Sequence, residues 1–221
     1  MNLYQSNDNY LCHIYGSMEE WKNNRNDGIG GSNASSFIGQ NKYRSNVQLW
    51  KDKHNKVHKD KTNPAMEYGN EAEAPLRKLF ALKHPEYDVQ YVSFCKLQST
   101  SKSYRIYSPD GLIYEKETGR KGIYEGKTSL IQNTSTYRHE WIDCIPQNYF
   151  IQTLHGLLVT DFDFVVLNAE LRFAWKRNTE IVEYYFTKEE VLDSLAELDK
   201  QEDEQWQYYE KGIKPPYISN L

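Results

Sequence analysis

Apolar residues recur along this chain with two different spacings, which predict helices and strands in mixed order. Spacings of three and four indicate helices, and strict alternation indicates strands. The predicted helices cover residues 33–39, 46–53, 64–83, 146–159 and 188–209. The predicted strands cover residues 87–95, 104–107, 110–114, 122–127, 162–168, 171–175 and 180–186. This order predicts an α/β (α+β) fold in which helices flank a central mixed β-sheet.

Local signals support the boundaries of the predicted helices. Ser32 and Ser45 are predicted N-caps, and Pro64 suits a first helical turn. Apolar side chains on the helices are expected to face the core. They are Leu49, Trp50, Met66, Leu76, Leu79 and Phe80, and in the last helix the narrow seam of Val191, Leu195 and Leu198.

The composition is that of a globular domain. The chain has 221 residues, of which 38% are hydrophobic and 14% aromatic, and no shift in composition marks a linker. We therefore expect one domain over residues 1–221, with its core at about 20–186 and an acidic helix at about 188–211.

The cysteines and the hydropathy of the chain narrow the class of protein further. Cys12, Cys95 and Cys144 lack C-x-x-C spacing, so they indicate neither a disulfide framework, nor a zinc site, nor a four-cysteine iron–sulfur cluster. The first residues do not combine a basic segment with an apolar run, and no apolar stretch is long enough to span a bilayer. We expect a cytoplasmic protein with no membrane partner.

Charge is distributed unevenly along the chain. The net charge is −4, which is unfavourable for a protein that binds phosphates. Residues 180–210 carry eleven acids and two lysines, so the rest of the chain is positive. Within that rest, residues 51–61 carry five lysines and follow Arg25, Lys42 and Arg44. The basic run fits a solvated face, and it also fits a loop that follows a phosphate backbone near a site.

Two short segments are the most informative part of the chain, Ser108-Pro-Asp-Gly and Glu125-Gly-Lys. The first runs into a strand and the second lies on the returning strand, so Asp110 and Glu125 are expected to face each other. Alternation places Lys127 on the face of Glu125, while Gly126 offers its backbone carbonyl. Two carboxylates, a carbonyl and waters suit Mg²⁺, and the lysine can position a water. From these residues alone, a turn beside a solvated strand face is an equally good interpretation.

The two segments resemble the motif of the PD-(D/E)XK nuclease superfamily, which is literal here in Pro109-Asp110 and Glu125-Gly126-Lys127. Three further segments have the order and spacing of phage lambda-type exonucleases and YqaJ-like viral recombinases. They are residues 25–34, 68–73 and 148–152. The resemblance covers residues 20–175 and implies a restriction-endonuclease-like core.

The resemblance implies roles for residues outside the hairpin. Glu73 falls where the family has a helix-borne acid near the metals, and Gln152 matches a glutamine that holds the water or the scissile phosphate. Arg25, Ser32 and Ser108 match residues associated with a terminal 5′-phosphate. Without the resemblance, the helical pattern favours a solvent-facing charge at Glu73 and a polar surface position at Gln152.

The residues around the first glycine cluster also fit an anion pocket. Gly28, Gly30 and Gly31 let the backbone approach an anion, Ser32 begins a predicted helix, and Arg25 supplies a planar cation. A glycine turn before a capped helix is the alternative. Together with the resemblance, the pocket favours an exonuclease over an endonuclease.

Two positions depart from the family pattern, and one histidine has no counterpart in it. Gly126 replaces an apolar residue, which leaves a place on the core face unfilled and weakens the strand by roughly 1 kcal/mol. Asn33 stands where many relatives have an acid, so no role is assigned to it. His155 is expected to be a structural histidine.

The sequence therefore predicts a Mg²⁺-dependent 5′→3′ exonuclease that acts on the ends of double-stranded DNA, with Mn²⁺ as a substitute ion. The expected ligands are Asp110, Glu125 and the Gly126 carbonyl, assisted by Glu73. Lys127 and Gln152 are expected to position the attacking water.

The resemblance also implies partners and a setting. The expected partner is a single-strand annealing protein, and the expected oligomer is a homotrimer around the duplex. The expected location is the cytoplasm of a bacterial host, with a phage or prophage as the source. The alternatives are an endonuclease of restriction or repair type and a catalytically idle DNA-end-binding protein. A binder has no need to keep Asp110, Glu125 and Lys127 together.

Overall fold

The computed structural model describes residues 1–25, 27–55 and 63–218, whose strands form two sheets. The first sheet contains β1 (Tyr10–Ile14), β2 (Ile29–Gly30), β4 (Cys95–Ser99) and β5 (Arg105–Tyr107), in the order β1-β4-β5-β2. The second contains β3 (Tyr87–Gln90), β6 (Gly111–Glu115), β7 (Lys121–Ile131), β8 (Phe164–Phe173) and β9 (Thr179–Thr187), in the order β3-β6-β7-β8-β9. The pairs β2–β5 and β7–β8 are parallel and the other pairs antiparallel, so both sheets are mixed.

The helices of the described residues are interspersed among these strands. They are α1 (Met18–Asn23), α2 (Gly31–Phe37), α3 (Asn46–His54), α4 (Pro64–Lys83), α5 (Thr134–Glu140), α6 (Gln147–Thr160) and α7 (Leu192–Glu210), the last preceded by a 3₁₀ turn at Glu189–Val191. None of the helices among these residues has a stretch long and apolar enough to cross a bilayer.

Helices α4 and α6 cover opposite faces of the five-stranded sheet. Phe80 of α4 packs with Tyr124 and Phe164 on one face. Ile123, the neighbour of Tyr124 on β7, points to the other face and meets α6 at Gly156. Helix α6 also contacts β4 and β5 of the other sheet, and α2 and α7 pack against it. The largest core therefore surrounds α6, which is the element shared by both sheets.

The predicted fold class is confirmed, and several predicted boundaries agree with the structure. Helix α3 begins at Asn46, where the Ser45 hydroxyl accepts a hydrogen bond from the Gln48 N–H at 3.2 Å. Helix α4 begins at Pro64 and ends at Lys83, as the pattern predicts. Its N-cap is Asn63, whose side chain accepts from the Met66 N–H. Capping oxygens satisfy donors that the first turn of a helix leaves unpaired.

Two strand predictions were wrong. The first failed because alternation of apolar and polar residues does not show where the chain passes from one sheet to the other. The predicted strand 87–95 is two strands in different sheets, β3 and β4, and Phe94 between them has a φ of 55°. The predicted strands 162–168 and 171–175 are one strand, β8. Its residues are buried on both faces between α4 and α6, which removes the alternation that separates a strand from its surroundings.

Three predictions about helical residues were also wrong. Helix α2 has Gly30 as its N-cap with no side-chain cap, and Ser32 lies inside the first turn. Met66 and Leu79 were expected in the core, but both are exposed, because α4 presents only the line of Leu76 and Phe80 to the sheet. The short elements β1, α1 and α5 were not predicted, since five to seven residues are too few for a clear period.

The acidic helix α7 carries part of its charge inward. The carboxylate of Glu202 is fully buried and accepts from the Arg105 Nε at 2.6 Å and contacts the His155 Nδ1 at 2.7 Å. Asp199 pairs with Arg105 and with Lys102. The negative charge of this helix would repel DNA, so the sequence predicts that it lies on the outside or against a second subunit. That prediction is wrong for these two acids, which pair with the buried Arg105 and the partly buried Lys102 of the same chain.

Two of the cysteines meet although they are distant in sequence. Cys12 on β1 and Cys95 on β4 lie diagonally across a strand pair, with their Sγ atoms 3.5 Å apart. Both are free thiols, as is Cys144. The basic run is only partly within the described residues, because its residues 56–61 lie outside them.

Candidate active site

The hairpin of β6 and β7 brings the two predicted carboxylates together. Gly111 pairs with Tyr124, so Asp110 at the start of β6 stands beside Glu125 on β7. The Gly126 N–H donates to the Asp110 Oδ2 at 3.0 Å, and the Lys127 Nζ lies 3.8 Å from the same oxygen. The facing of Asp110 and Glu125 and the shared side of Glu125 and Lys127 are confirmed.

The Glu125 carboxylate is the centre of the cluster. Its side chain is fully buried and accepts three hydrogen bonds. The Tyr107 hydroxyl donates to Oε2 at 2.6 Å, while the Lys127 ammonium and the Gln152 side-chain amide both donate to Oε1. A buried carboxylate needs such partners, because burial without them costs several kcal/mol.

Lys127 is held as a cation between two acids. Burial would lower the pKa of Lys127, but the carboxylates of Glu125 and Asp110 outweigh burial and raise this pKa above its ordinary value. The Nζ also lies 5.5 Å from the centroid of the Tyr149 ring. Lys127 is therefore protonated at neutral pH, and it can orient a water or balance negative charge by donating.

Negative charge accumulates around the two hairpin acids. Burial, and then the neighbouring Glu125 carboxylate, raise the pKa of Asp110 well above its usual range. Burial also raises the pKa of Glu73 on α4, with Glu125 adding to the effect and Lys127 opposing it. Glu73 is therefore within electrostatic reach of Glu125 and Lys127, and its role near the metals stays a prediction of the resemblance. Carboxylates that repel each other in this way become compatible when a divalent cation lies between them.

The small number of protein ligands fits Mg²⁺, which keeps several waters, better than a metal ion that is enclosed by protein side chains alone. Among residues 1–25, 27–55 and 63–218, no three His, Cys, Asp or Glu side chains converge closely enough to enclose a metal. Mg²⁺ keeps several waters and is usually bound by one or two carboxylates together with substrate phosphates. Asp110 and Glu125 match this pattern, and the Gly126 carbonyl and Glu73 stay predicted further ligands.

Arg25 lies beside the cluster, on the side of the glycine turn. Its guanidinium stacks on the Trp21 ring, with the Cζ 4.1 Å from the ring centroid, and an Nη atom lies 3.9 Å from the position of a Cβ at Gly30. Burial lowers the pKa of Arg25, while Asp110 and Glu73 oppose the shift. The arginine is therefore within electrostatic reach of both acids.

The two predicted phosphate-binding serines follow the paired strands β2 and β5. Ser32 is exposed in the first turn of α2, and Ser108 is half-buried directly after β5. The start of α2 lies against the site, because a Cβ at Gly31 would be 3.2 Å from the Gln152 side chain and 3.1 Å from the Tyr107 ring. Their binding of a 5′-phosphate stays a prediction.

Sequence reasoning missed four residues around the site. Tyr107 bonds Glu125, Trp21 supports Arg25, and Arg77 of α4 donates to the Asp110 backbone carbonyl at 2.7 Å. Lys53 donates to the Gly28 carbonyl at 2.6 Å, and burial, followed by Arg44 and Arg25, lowers the pKa of Lys53 to about 8. The basic run was a signal for Lys53, but no pattern distinguishes the other three from ordinary core or surface residues.

His155 has the structural role that was predicted for it. It is fully buried, with Nδ1 2.7 Å from a Glu202 oxygen and Nε2 3.0 Å from the Ile106 carbonyl. Because His155 lies one turn after Gln152 on α6, this contact fixes α6 to the strand that leads into the site.

Substitutions at two glycines of β7 are expected to have opposite effects on stability. A Cβ at Gly126 would lie 3.5 Å from the Tyr124 ring, an ordinary contact, so Gly126→Ala is expected to add about 0.5–1 kcal/mol to the free energy of unfolding. A Cβ at Gly122 would lie 2.3 Å from the Phe164 ring, so Gly122→Ala is expected to cost about 1–3 kcal/mol. Urea denaturation in chelator measures both. Equal losses of stability in the two variants would contradict the room for a Cβ at Gly126.

The two mixed sheets with the acid pair on a central hairpin define a PD-(D/E)XK nuclease fold of the lambda-exonuclease-like class. In structure, the chain is similar to the alkaline exonuclease LHK-Exo from Laribacter hongkongensis, with a TM-score of 0.67 at 19% identity over 89% of this chain and 94% of that one. It is also similar to a phage related exonuclease from Haemophilus somnus 129PT, with a TM-score of 0.55 at 14% identity over 84% and 96%.

Residues 20–163 match the family described as the YqaJ-like viral recombinase domain, and the chain belongs to that family. Among curated proteins it is 29% identical over 195 residues to the uncharacterized protein YqaJ of Bacillus subtilis (strain 168). The match covers 78% of this chain and 54% of YqaJ, so the chain spans about half the length of that relative.

Proposed function

We propose that this chain is a Mg²⁺-dependent exonuclease that degrades double-stranded DNA from 5′ ends and leaves 3′ single strands. The observation that carries the proposal is the contact cluster in which Glu125 binds Lys127 and Gln152, with Asp110 3.8 Å from the lysine. Buried charged groups are costly, so a cluster of them at one end of a hairpin is characteristic of a site that uses them. A protein that only binds DNA ends gains nothing from this arrangement.

Each residue has a distinct task in this reaction. Asp110 and Glu125 would hold the ion, with the Gly126 carbonyl and Glu73 as further ligands. When bound, the ion polarises the scissile phosphate and lowers the pKa of a water, and Mn²⁺ accepts the same oxygen ligands. Protonated Lys127 donates to that water or to a phosphate oxygen.

Gln152 orients the same groups from a second element. Its amide donates to Glu125 from helix α6, so the carboxylate is held from the helix as well as from its own strand. Such positioning keeps the attacking water near its productive geometry, which is a main source of rate in phosphoryl chemistry.

The action on DNA ends rests on the residues around Arg25. This permanent cation lies near Asp110 and Glu73, and Ser32 and Ser108 lie on neighbouring segments. A terminal 5′-phosphate held there would place the adjoining phosphodiester at the acids. The similar structures support this reading, since one is called an alkaline exonuclease, also determined in complex with dAMP, and another a phage related exonuclease.

Membership of this family is our reason for proposing a partner protein, an oligomeric state and a cellular location. A 3′ single strand is a substrate for a single-strand annealing protein, which we propose as the partner of this chain. A homotrimer that encircles the duplex, in a bacterial cytoplasm, completes the proposal. The exposed acids of α7, such as Glu204, would then lie away from the DNA.

Digestion of end-labelled linear duplex beside a covalently closed plasmid tests the proposed function. We expect Mg²⁺-dependent degradation of 5′-phosphorylated linear DNA from its 5′ ends, slower digestion of 5′-hydroxyl DNA, and resistance of the plasmid. Arg25→Ala is expected to erase most of the preference for 5′-phosphate, about 10–100-fold, because it removes a charge-assisted contact of ~1.5–3 kcal/mol.

Arg138→Ala is the matched control, since Arg138 is an exposed arginine on α5. It is expected to keep the preference for 5′-phosphate. A plasmid cut as readily as linear DNA would replace the exonuclease with an endonuclease. DNA binding without any hydrolysis in Mg²⁺ or Mn²⁺ would leave only an end-binding protein.

A further inference from the structure

Tyr107 ends strand β5 with its ring fully enclosed. Two glycines on two different helices form the slot for this ring. A Cβ at Gly31 of α2 would lie 3.1 Å from the ring, and a Cβ at Gly156 of α6 would lie 2.9 Å from its Cζ. A Cβ at Gly156 would collide with the ring, and one at Gly31 would press on it closely enough to require a small shift. The slot therefore restrains where the phenol hydroxyl points.

The hydroxyl in this slot points to the carboxylate that the proposed reaction requires. The Tyr107 hydroxyl donates to the Glu125 Oε2 at 2.6 Å, and Lys127 and Gln152 use the other oxygen, Oε1. Among the described residues, Tyr107 is therefore the one whose side chain restrains Oε2 by a hydrogen bond. Without it, the carboxylate would be held through Oε1 and could rotate about its terminal torsion, which is a broad one.

We propose that Tyr107 is a positioning residue for the metal-binding carboxylate of Glu125, and that its hydroxyl sets the affinity of the site for a divalent ion. This inference rests on the proposed function. The physical reason is that a carboxylate held in one orientation loses little freedom when it binds the ion, and partners behind a ligand typically contribute 10–100-fold in metal affinity.

The residue that directly precedes strand β5 provides a control for a purely structural role. Tyr104 is also buried, and its hydroxyl also donates to a carboxylate, the Oδ1 of Asp203 at 2.8 Å. That carboxylate belongs to α7 and not to the site. Tyr107→Phe and Tyr104→Phe each remove one hydroxyl and leave one carboxylate with one donor fewer, but only the first affects the proposed metal ligand.

Mn²⁺ binding to the protein without DNA, followed by electron paramagnetic resonance, tests the inference. Tyr107→Phe is expected to raise the Kd for Mn²⁺ by about 10–100-fold, while Tyr104→Phe leaves it within about twofold. The Mg²⁺ concentration that gives half-maximal DNA digestion is expected to shift in parallel, and saturating Mg²⁺ is expected to restore most of the rate. Thermal unfolding in chelator checks that both variants are folded.

The possible failures are distinguishable. Unchanged Mn²⁺ affinity in Tyr107→Phe, or an equal loss in Tyr104→Phe, would overturn the positioning role while the nuclease proposal stands. A wild-type protein that binds no Mn²⁺ and digests DNA in chelator would instead overturn the proposed function.

Discussion

Lys127→Ala is expected to lower Mg²⁺-dependent DNA hydrolysis by at least ~100-fold, with DNA binding in Ca²⁺ retained. The ammonium contacts Glu125 and lies 3.8 Å from Asp110, so its loss removes the only described lysine of the cluster and leaves the two carboxylates to repel each other. The rate on end-labelled duplex at saturating Mg²⁺ is the measurement. Asp110→Ala is expected to show a loss of the same order.

Lys121→Ala is the control for this substitution. Lys121 lies on the same strand, at the start of β7, and is half-buried without an acid of the site as its neighbour. We expect its rate to stay within a few-fold of wild type. Wild-type hydrolysis in Lys127→Ala, or in the presence of chelator, would exclude the proposed metal-dependent chemistry.

Glu202→Gln is expected to lower the free energy of unfolding by about 3 kcal/mol, equivalent to roughly 6–12 °C in Tm for a chain of this size. Removing the charge leaves the Arg105 guanidinium, which is 2% exposed, without its fully buried partner. The partly exposed Asp199 remains as a weaker substitute. Differential scanning calorimetry near neutral pH gives the value.

The pH dependence of the same variant provides a second check. Burial would raise the pKa of Glu202, but His155 and Arg105 outweigh it and hold this pKa below its ordinary value. The stability that Glu202 contributes is therefore present above the unfolded-state pKa of about 4.3 and is lost as the pH falls through the folded-state value. The gap between wild type and Glu202→Gln should shrink below about pH 4.

Glu204→Gln serves as the matched control, because Glu204 is exposed two positions further along α7. It is expected to change the free energy of unfolding by less than about 0.5 kcal/mol. Equal effects of the two variants on the free energy of unfolding would show that the burial of Glu202 does not determine the loss of stability.

The hairpin part of the site was predictable because its information is local. Asp110, Glu125 and Lys127 lie within eighteen consecutive residues, and the two-residue period of a strand fixes which of them share a face. Glu73 and Gln152 lie on separate helices, so their arrival at the cluster followed from the resemblance and not from periodicity.

The remaining features depend on contacts between distant segments. Glu202 looks like a solvent-facing acid in sequence, because its cation Arg105 is 97 positions away. Tyr107 looks like any strand tyrosine, because the slot around its ring is formed by Gly31 and Gly156. The exposure of Met66 and Leu79 depends on how far α4 extends past the sheet, which helical spacing does not encode.

The ion pairs between β5 and α7 can form only late in the synthesis of this chain at the ribosome. Arg105 is translated long before Asp199 and Glu202, and the strand that it anchors ends at Tyr107, beside the acids of the site. A nascent chain that has not yet emerged beyond α7 lacks both carboxylates that pair with this arginine in the folded protein. The strand that brings Tyr107 to Glu125 therefore gains its full set of ion pairs only after α7 has been synthesised.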